Sequence, residues 1–179
     1  MKDEALAARC RGLRLIATDV DGVHTDGTVL LLPDGDEAKA FHIRDGLAVV
    51  LAHRAGLQTA VLSGRSSDAV SRRARELSIG TVRQGVSDKG AAFAEILAAA
   101  GLASHQAAYM GDDVNDLPAM LQAGLSAAPA DAAFEVRAQA YMVTDARGGH
   151  GCFREFVEAI LRARGEWDSL MAKIGAGLP

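Results

Sequence analysis

The sequence of 179 residues has few cysteines and no long hydrophobic run. Cys10 and Cys152 are too few for a disulfide framework and form no C-x-x-C pair, so we expect two reduced thiols. No apolar run approaches the roughly 18 residues that a membrane-spanning helix needs. Acidic residues and an interrupted apolar stretch near the start are atypical of a signal peptide. These absences predict a cytoplasmic protein with no membrane partner.

An excess of positive charge is also missing. The formal net charge is -4, whereas proteins whose main ligand is a nucleic acid usually present basic surfaces. Hydrophobic residues make up 49% of the chain and prolines number only 4, as in globular proteins. We therefore expect no nucleic-acid partner and a single domain over 1–179, with its core at about 13–164. A short, glycine-containing tail at about 168–179 is expected to be loosely held.

Short apolar runs bounded by Gly, Asp or charged residues have the pattern of buried parallel strands. These runs are at 13–18, 57–62, 107–110 and 141–143. Segments of helix-like composition alternate with them, at 46–55, 67–77, 89–100, 115–123 and 153–164. The alternation predicts an α/β fold with a doubly wound, mostly parallel sheet.

One segment departs from this alternation. The β-like runs 28–32 and 37–41 flank the turn sequence PDGD at 33–36. This pattern predicts a β-hairpin inserted directly after the first strand.

Two aspartates follow the first predicted strand in the sequence DVDG. Asp19 and Asp21 would lie at the carboxyl end of the sheet, where open α/β folds bind ligands, and Gly22 permits a sharp turn there. One carboxylate could attack phosphorus if a cation neutralises the phosphoryl charge, and the other could protonate the leaving group. Taken alone, the motif fits an Asx-turn or a helix-cap cluster equally well.

Two further polar residues follow in the chain. Ser63, in the sequence SGR, would bring a hydroxyl to the same sheet edge, although SGR by itself is more typical of a turn. Lys89 opens a predicted helix, where the helix dipole disfavours a cation unless a phosphate is close. The alternative for Lys89 is a solvated surface side chain.

The third predicted strand ends in GDDVND. Asp112 and Asp113 would lie at the strand edge, with Asp116 one helical turn later and facing the same way. Clustered carboxylate oxygens suit Mg2+. Helix capping would account for one of these acids but not for three, so the four motifs together predict a phosphoryl-transfer site.

In order, spacing and residue type, these motifs resemble those of the haloacid dehalogenase superfamily of phosphohydrolases, over 13–164. The resemblance implies a nucleophile at Asp19 and a general acid/base at Asp21. It implies Mg2+ as cofactor, bound by Asp19, Asp112 and the backbone carbonyl of Asp21. It also implies residues that hold the phosphoryl group or support the metal ligands, namely Ser63, Lys89, Asp113 and Asp116.

Members of the superfamily usually carry a cap domain that selects the substrate, and the spacing of the motifs in this chain leaves no room for one. An uncapped site must be covered otherwise, and neighbouring subunits of an oligomer are the obvious source. The stretches DVDGVHTDG, AFHIRDG, SGR, QGVSDK, GDDVNDLP and GGHGCFRE resemble the tetrameric 3-deoxy-D-manno-octulosonate 8-phosphate phosphatases. In that group the hairpins pack in the tetramer, so the resemblance implies a homotetramer.

A sugar-acid phosphate is the substrate class that this resemblance implies. The carboxylate of such a compound suits arginine. The substrate-binding positions that the resemblance implies are Asp21, His42, Ile43, Arg44, Asp45, Gly46, Ser63, Gly64, Arg65, Arg73 and Lys89.

Two departures bear on the substrate. Val50 stands where the octulosonate group commonly has an arginine, and His150 stands where its glycine-rich loop often has a basic residue. Phosphatases of nine-carbon keto-acid sugars share the scaffold, but some of them place an acid at the position of Arg65, which favours the eight-carbon substrate here. A signalling receiver domain and a non-catalytic assembly module are the alternatives from other functional classes.

Overall fold

The structure of the protein, a computed structural model, describes residues 2–33 and 36–177. Its strands are β1 (Leu15–Thr18), β2 (Leu30–Leu31), β3 (Glu37–Ala38), β4 (Gln58–Leu62), β5 (Thr81–Arg83), β6 (Ala107–Met110), β7 (Leu125–Ala128) and β8 (Met142–Val143). Its helices are α1 (Lys2–Cys10), α2 (Ile43–Arg54), α3 (Asp68–Glu76), α4 (Lys89–Ala100), α5 (Leu117–Met120), α6 (Phe134–Gln139), α7 (Cys152–Ala163) and α8 (Trp167–Gly175). In the described residues the architecture is α/β.

The central sheet is parallel, with the strand order β5-β4-β1-β6-β7-β8. Strand β1 is buried along its whole length and pairs with β4 on one side and β6 on the other. The three strands that precede the DVDG, SGR and GDDVND motifs are therefore neighbours at the centre of the sheet. Because parallel strands end at one edge, the fold brings the three motifs together.

Helices cover both faces of the sheet, as the alternation predicts. On one face, Phe153, Phe156 and Ile160 of α7 are buried against Ile16 of β1. Their spacing of three and four residues gives the helix one apolar side, and full burial of each side chain stabilises the fold by about 1.5–3 kcal/mol. On the other face, Phe93 of α4 packs edge-on against Tyr109 of β6, with ring centroids 5.5 Å apart.

Strands β2 and β3 form the predicted hairpin as an antiparallel pair. The ladder is shorter than the sequence pattern suggests, with two residues in each strand. The predicted turn includes residues 34 and 35, which lie outside the described residues.

Several elements differ from the sequence-based expectation. Strand β7 has the sequence LSAA, whose side chains are mostly small and include a polar serine, so the segment does not have the pattern of a buried strand. Helices α1 and α6 were not predicted. The expected loose tail contains α8, where Trp167 and Leu170 are buried and the guanidinium groups of Arg154 and Arg162 lie over the Trp167 ring.

Within 2–33 and 36–177, every helix is too short or too polar to cross a membrane.

Candidate active site

A pocket opens at the carboxyl edge of the sheet, where β1, β4 and β6 end. Most of the residues that line it were predicted from the motifs, whereas Gly27 and Asn115 were not. The lining residues are Asp19, Asp21, Gly27, Ser63, Gly64, Arg65, Asp112, Asp113 and Asn115.

Asp19 follows β1 and lies almost entirely out of solvent, with 6% of its surface exposed. Its Oδ1 accepts a hydrogen bond from the Val20 amide at 2.7 Å, and its Oδ2 lies 2.7 Å from Lys89 Nζ. Burial raises the pKa of Asp19 from 3.8 to about 7, and the nearby Asp116 adds to the shift while Lys89 opposes it. The carboxylate is therefore poorly stabilised as an anion in the metal-free protein.

Lys89 begins α4 and is 2% exposed, which excludes the solvated alternative. Asp88 caps this helix by accepting a hydrogen bond from the Ala91 amide at 2.9 Å, and so fixes where Lys89 emerges. The Lys89 ammonium lies 2.7 Å from both Asp19 and Asp116. Burial alone would lower the pKa of Lys89, but the two carboxylates raise it above its usual value. Lys89 thus lies behind Asp19 rather than on the pocket surface.

Asp116 is fully buried and has donors on both oxygens. Its Oδ1 accepts hydrogen bonds from Lys89 at 2.7 Å and from the Tyr109 hydroxyl at 2.8 Å. Its Oδ2 accepts from the Asp112 amide at 3.2 Å and the Asp113 amide at 3.4 Å. Oxygens of Asp116, Asp19 and Asp112 lie within 4.8 Å of one another, but these bonds already use the lone pairs of Asp116. Its position fits a support for the loop after β6 rather than a metal ligand.

Asp112 projects across the turn that follows Asp19. Gly22 has a φ of +83°, which residues other than glycine rarely adopt, and a Cβ at this position would overlap the Asp112 carboxylate. Both the backbone conformation and the packing therefore require glycine. Burial, together with Asp19 and Asp116, raises the pKa of Asp112 to about 8. Asp113, by contrast, directs its carboxylate to its own loop, where it accepts from the Val114 amide at 2.7 Å.

The charges of this cluster fit a divalent cation. Three carboxylates share one buried ammonium, and burial, together with repulsion among these carboxylates, raises the pKa values of Asp19 and Asp112. Hard oxygen donors suit Mg2+, which binds through one or two carboxylates plus substrate oxygens. Asp19 and Asp112 line the pocket, and each can offer a carboxylate oxygen to such a cation.

Asp21 belongs to an ion network that the motifs did not predict. Its Oδ1 forms an ion pair with Lys39, and the Lys39 ammonium lies 3.3 Å from Glu37 Oε1. Glu37 Oε2 in turn accepts a hydrogen bond from Arg65 Nη2 at 2.6 Å. The hydrogen bond from Arg65 lowers the pKa of Glu37. The sequence signal that could have indicated this network is the β-like run 37–41, because residues two apart in a strand, such as Glu37 and Lys39, face the same side.

Ser63 and Gly64 form the pocket wall after β4. The Ser63 hydroxyl oxygen accepts a hydrogen bond from the Arg65 amide at 3.2 Å. Its own hydrogen remains available to a ligand oxygen. The Ser63 amide donates to the Arg83 carbonyl, which ties this wall to β5.

The predicted substrate contacts around the start of α2 do not line this pocket. The buried Asp45 carboxylate accepts hydrogen bonds from the Arg154 amide at 2.7 Å and the Gly151 amide at 3.2 Å, and so caps α7. Ile43 and Arg44 are exposed to solvent. Burial raises the pKa of Asp45.

His42, Gly46 and Arg73 line a second, largely apolar cavity between α2 and α3. His24 lines it as well, and the Nε2 atom of His24 is buried without a hydrogen-bond partner. Burial lowers the pKa of His24 to about 4, so the ring is neutral at pH 7. Arg73 packs so closely against Gly46 that a Cβ there would overlap the guanidinium group.

Comparison with known proteins agrees with this geometry. The family model for haloacid dehalogenase-like hydrolases matches residues 29–124. The 3-deoxy-D-manno-octulosonate 8-phosphate phosphatase KdsC of Haemophilus influenzae is 40% identical over 158 residues, which is 88% of this chain and 88% of the relative. The enzyme of the same name from Escherichia coli K12 is 38% identical over 161 residues, or 90% of this chain and 86% of the relative.

Solved structures give the same result. The 3-deoxy-D-manno-octulosonate 8-phosphate phosphatase of Moraxella catarrhalis, crystallised with magnesium ion, phosphate ion and KDO, superposes with a TM-score of 0.92 at 35% identity, covering 94% of this chain and 97% of that one. The cobalt-bound phosphatase YrbI from Haemophilus influenzae superposes with a TM-score of 0.85 at 40% identity, covering 88% and 92%. The chain therefore belongs to the haloacid dehalogenase-like hydrolase family and is a phosphoric monoester hydrolase.

Proposed function

We propose that this protein is a Mg2+-dependent phosphatase that hydrolyses 3-deoxy-D-manno-octulosonate 8-phosphate through a phosphoaspartate at Asp19. The observation that carries the proposal is the convergence of Asp19 and Asp112, which follow the adjacent strands β1 and β6, with Lys89 at the start of α4. The substrate class is taken from the relatives, whose names specify this eight-carbon sugar-acid phosphate.

In the first step, a carboxylate oxygen of Asp19 bonds to phosphorus while the bond from phosphorus to the sugar oxygen breaks. The leaving oxygen takes the proton that the Asp21 carboxyl carries, so the sugar acid departs with a neutral hydroxyl group in place of the ester. Lys89 holds Oδ2 of Asp19 at 2.7 Å and keeps the carboxylate in one orientation. The Ser63 hydroxyl donates a hydrogen bond to a phosphoryl oxygen.

In the second step, a water oxygen bonds to phosphorus and the bond from phosphorus to Asp19 breaks. The proton of the water passes to Asp21, which restores both carboxyl groups to their starting states. Inorganic phosphate is the second product. Mg2+, when bound by Asp19, Asp112 and the carbonyl of Asp21, supplies the positive charge that lets an anionic nucleophile approach an anionic phosphoryl group.

Arg65 supports a substrate that carries a second anionic group. It lines the pocket, half of its side chain is exposed, and Glu37 holds its guanidinium group at 2.6 Å. A planar guanidinium group in this position suits the carboxylate of a keto-acid sugar.

We also propose that the protein is a tetramer in which neighbouring subunits cover the pocket. The hairpin exposes Leu30 and Leu31, at 58% and 74%. A two-stranded hairpin is marginally stable alone, and adjoining exposed apolar side chains mark interaction surfaces. Light scattering at working concentration tests this proposal, and a monomeric mass would refute it.

The substrate assignment is tested by phosphate release from eight-carbon and nine-carbon keto-acid sugar phosphates. With Mg2+, kcat/KM is expected to be at least about 10-fold higher for the eight-carbon ester. Asp19→Asn, or removal of Mg2+ by a chelator, should abolish release.

The possible outcomes separate the competing functions. A preference for the nine-carbon ester or a hexose phosphate would overturn the substrate and leave the mechanism intact. No turnover of any ester would overturn the phosphatase itself, and would favour a receiver-like or assembly role.

A further inference from the structure

The return strand of the hairpin delivers two charged side chains to the pocket. Glu37 begins β3 and Lys39 directly follows this strand, and the charged groups of the two side chains lie 3.3 Å apart. Only 2% of the Lys39 side chain and 10% of the Glu37 side chain are exposed. Lysine is almost never buried to this extent unless it is paired, because removing an ammonium group from water is costly. The burial of Lys39 beside the pocket therefore indicates a specific role for its ammonium group, since a lysine that only aids solubility would be exposed.

Lys39 gives the two oxygens of the Asp21 carboxyl group different surroundings. Its ammonium pairs with Oδ1, whereas Oδ2 lies 3.9 Å from Arg65 Nε on the pocket side. An ammonium group has three donors and no acceptor, so an oxygen that accepts from it is a poor place for a further proton. The geometry leaves Oδ2 as the oxygen that can exchange a proton with a bound ligand.

Glu37 completes the arrangement. It lies between the Lys39 ammonium, at 3.3 Å, and the Arg65 guanidinium, at 2.6 Å. Both cations are thereby held by one carboxylate of the hairpin, and the orientation of Asp21 depends on the hairpin rather than on its own loop alone.

We propose that Lys39 is a positioning residue for Asp21, which it orients with Oδ2 facing the leaving group of the substrate. This inference rests on the proposed function, in which Asp21 protonates the leaving oxygen. Proton transfer of this kind contributes about 10²–10⁴ to a rate and depends on placement of the acid within hydrogen-bond reach. Loss of Lys39 should therefore slow the reactions that need the proton, and spare those that do not.

The test compares two esters on Lys39→Met, which keeps an unbranched side chain only one heavy atom shorter and removes the charge. A sugar phosphate releases an alkoxide that needs a proton, whereas 4-nitrophenyl phosphate releases a stable phenolate that does not. The quantity compared is kcat/KM, which covers the steps up to release of the alcohol and excludes hydrolysis of the phosphoaspartate. We expect a fall of about 10- to 100-fold for the sugar phosphate and of less than about 3-fold for the nitrophenyl ester.

The matched control is Lys173→Met, which removes an exposed lysine on α8. It should leave both values unchanged. The ratio of the two kcat/KM values is independent of the folded fraction, so partial unfolding of Lys39→Met cannot imitate the result. Phenyl phosphate, whose leaving group is intermediate, should lose an intermediate factor.

An equal loss on all the esters would show that Lys39 only supports the fold, and a kcat/KM that stays at the wild-type value on every ester would show that Asp21 is oriented without Lys39. Either result would overturn the inference. A wild-type protein that hydrolyses none of these esters would instead overturn the proposed function.

Discussion

Replacing Asp19 with asparagine should stabilise the metal-free protein at alkaline pH while it removes the proposed nucleophile. Burial is the main cause that raises the pKa of this carboxyl from 3.8 to about 7. Between these two values the unfolded chain releases the proton and the folded chain keeps it, so wild-type stability falls as pH rises through that window. Asparagine does not titrate and escapes the loss.

The magnitude follows from the size of the shift and from the bonds at the site. At about 1.4 kcal/mol per pKa unit, a shift from 3.8 to about 7 corresponds to on the order of 4 kcal/mol above pH 7. Asp19 accepts hydrogen bonds from the Val20 amide and from Lys89 on different oxygens, and asparagine has only one acceptor oxygen. The lost bond costs about 1–3 kcal/mol at any pH. The free energy of unfolding of Asp19→Asn near pH 8 is therefore expected to exceed that of the wild type by about 1–3 kcal/mol. Between pH 5 and pH 8 the difference between the two proteins is expected to change by about 2–3 kcal/mol.

Urea unfolding in the presence of a chelator, followed by the fluorescence of the single tryptophan, Trp167, measures this difference. Protein concentration is held constant because the stability of an oligomer depends on it. Asp168→Asn, on an exposed face of α8, is the control and should leave the pH dependence of stability unchanged. A gain that is independent of pH, or a destabilisation that grows as pH rises, would refute the electrostatic account of Asp19.

Three further substitutions test neighbouring parts of the structure. His24→Leu should raise stability by about 1–2 kcal/mol, because it removes a buried Nε2 without a partner, and a lower melting temperature would contradict this. Gly22→Ala should weaken Mg2+ binding at least about 10-fold in calorimetry by displacing the Asp112 carboxylate, and wild-type affinity would contradict the overlap. Tyr109→Phe, which deletes the 2.8 Å hydrogen bond to Asp116, should cost about 1–2 kcal/mol of stability and lower kcat with little change in KM. A selective rise in KM would place Tyr109 in substrate binding instead.

The motifs predicted the centre of the site because their strands are neighbours. Asp19, Ser63 and Asp112 each follow a short buried strand, and the carboxyl ends of parallel strands share one edge. Lys89 was predicted as a member of the group, but only the structure shows it behind Asp19, held by Asp116 and 2% exposed.

Residues whose roles depend on tertiary packing could not be read from local patterns. The sequence predicts Tyr109 only as a core residue of β6. Its hydrogen bond to Asp116 forms because the loop after that strand folds back over it. Lys39 reaches Asp21 only because the hairpin returns to the sheet edge. Asp45 belongs to a segment expected to contact substrate, yet its carboxylate caps α7, more than one hundred residues away in the chain.

The central claim, that Asp19 carries the phosphoryl group and Asp21 moves the protons, is tested most directly by Asp21→Asn with 4-nitrophenyl phosphate and Mg2+. Because this leaving group needs no acid, the first step should proceed, and because the second step then lacks its base, the phosphoaspartate should accumulate. A rapid burst of about one nitrophenolate per protomer is expected, and borohydride reduction followed by peptide mass spectrometry should locate the modified carboxyl at Asp19. The absence of a burst, or a modified residue other than Asp19, would contradict the central claim.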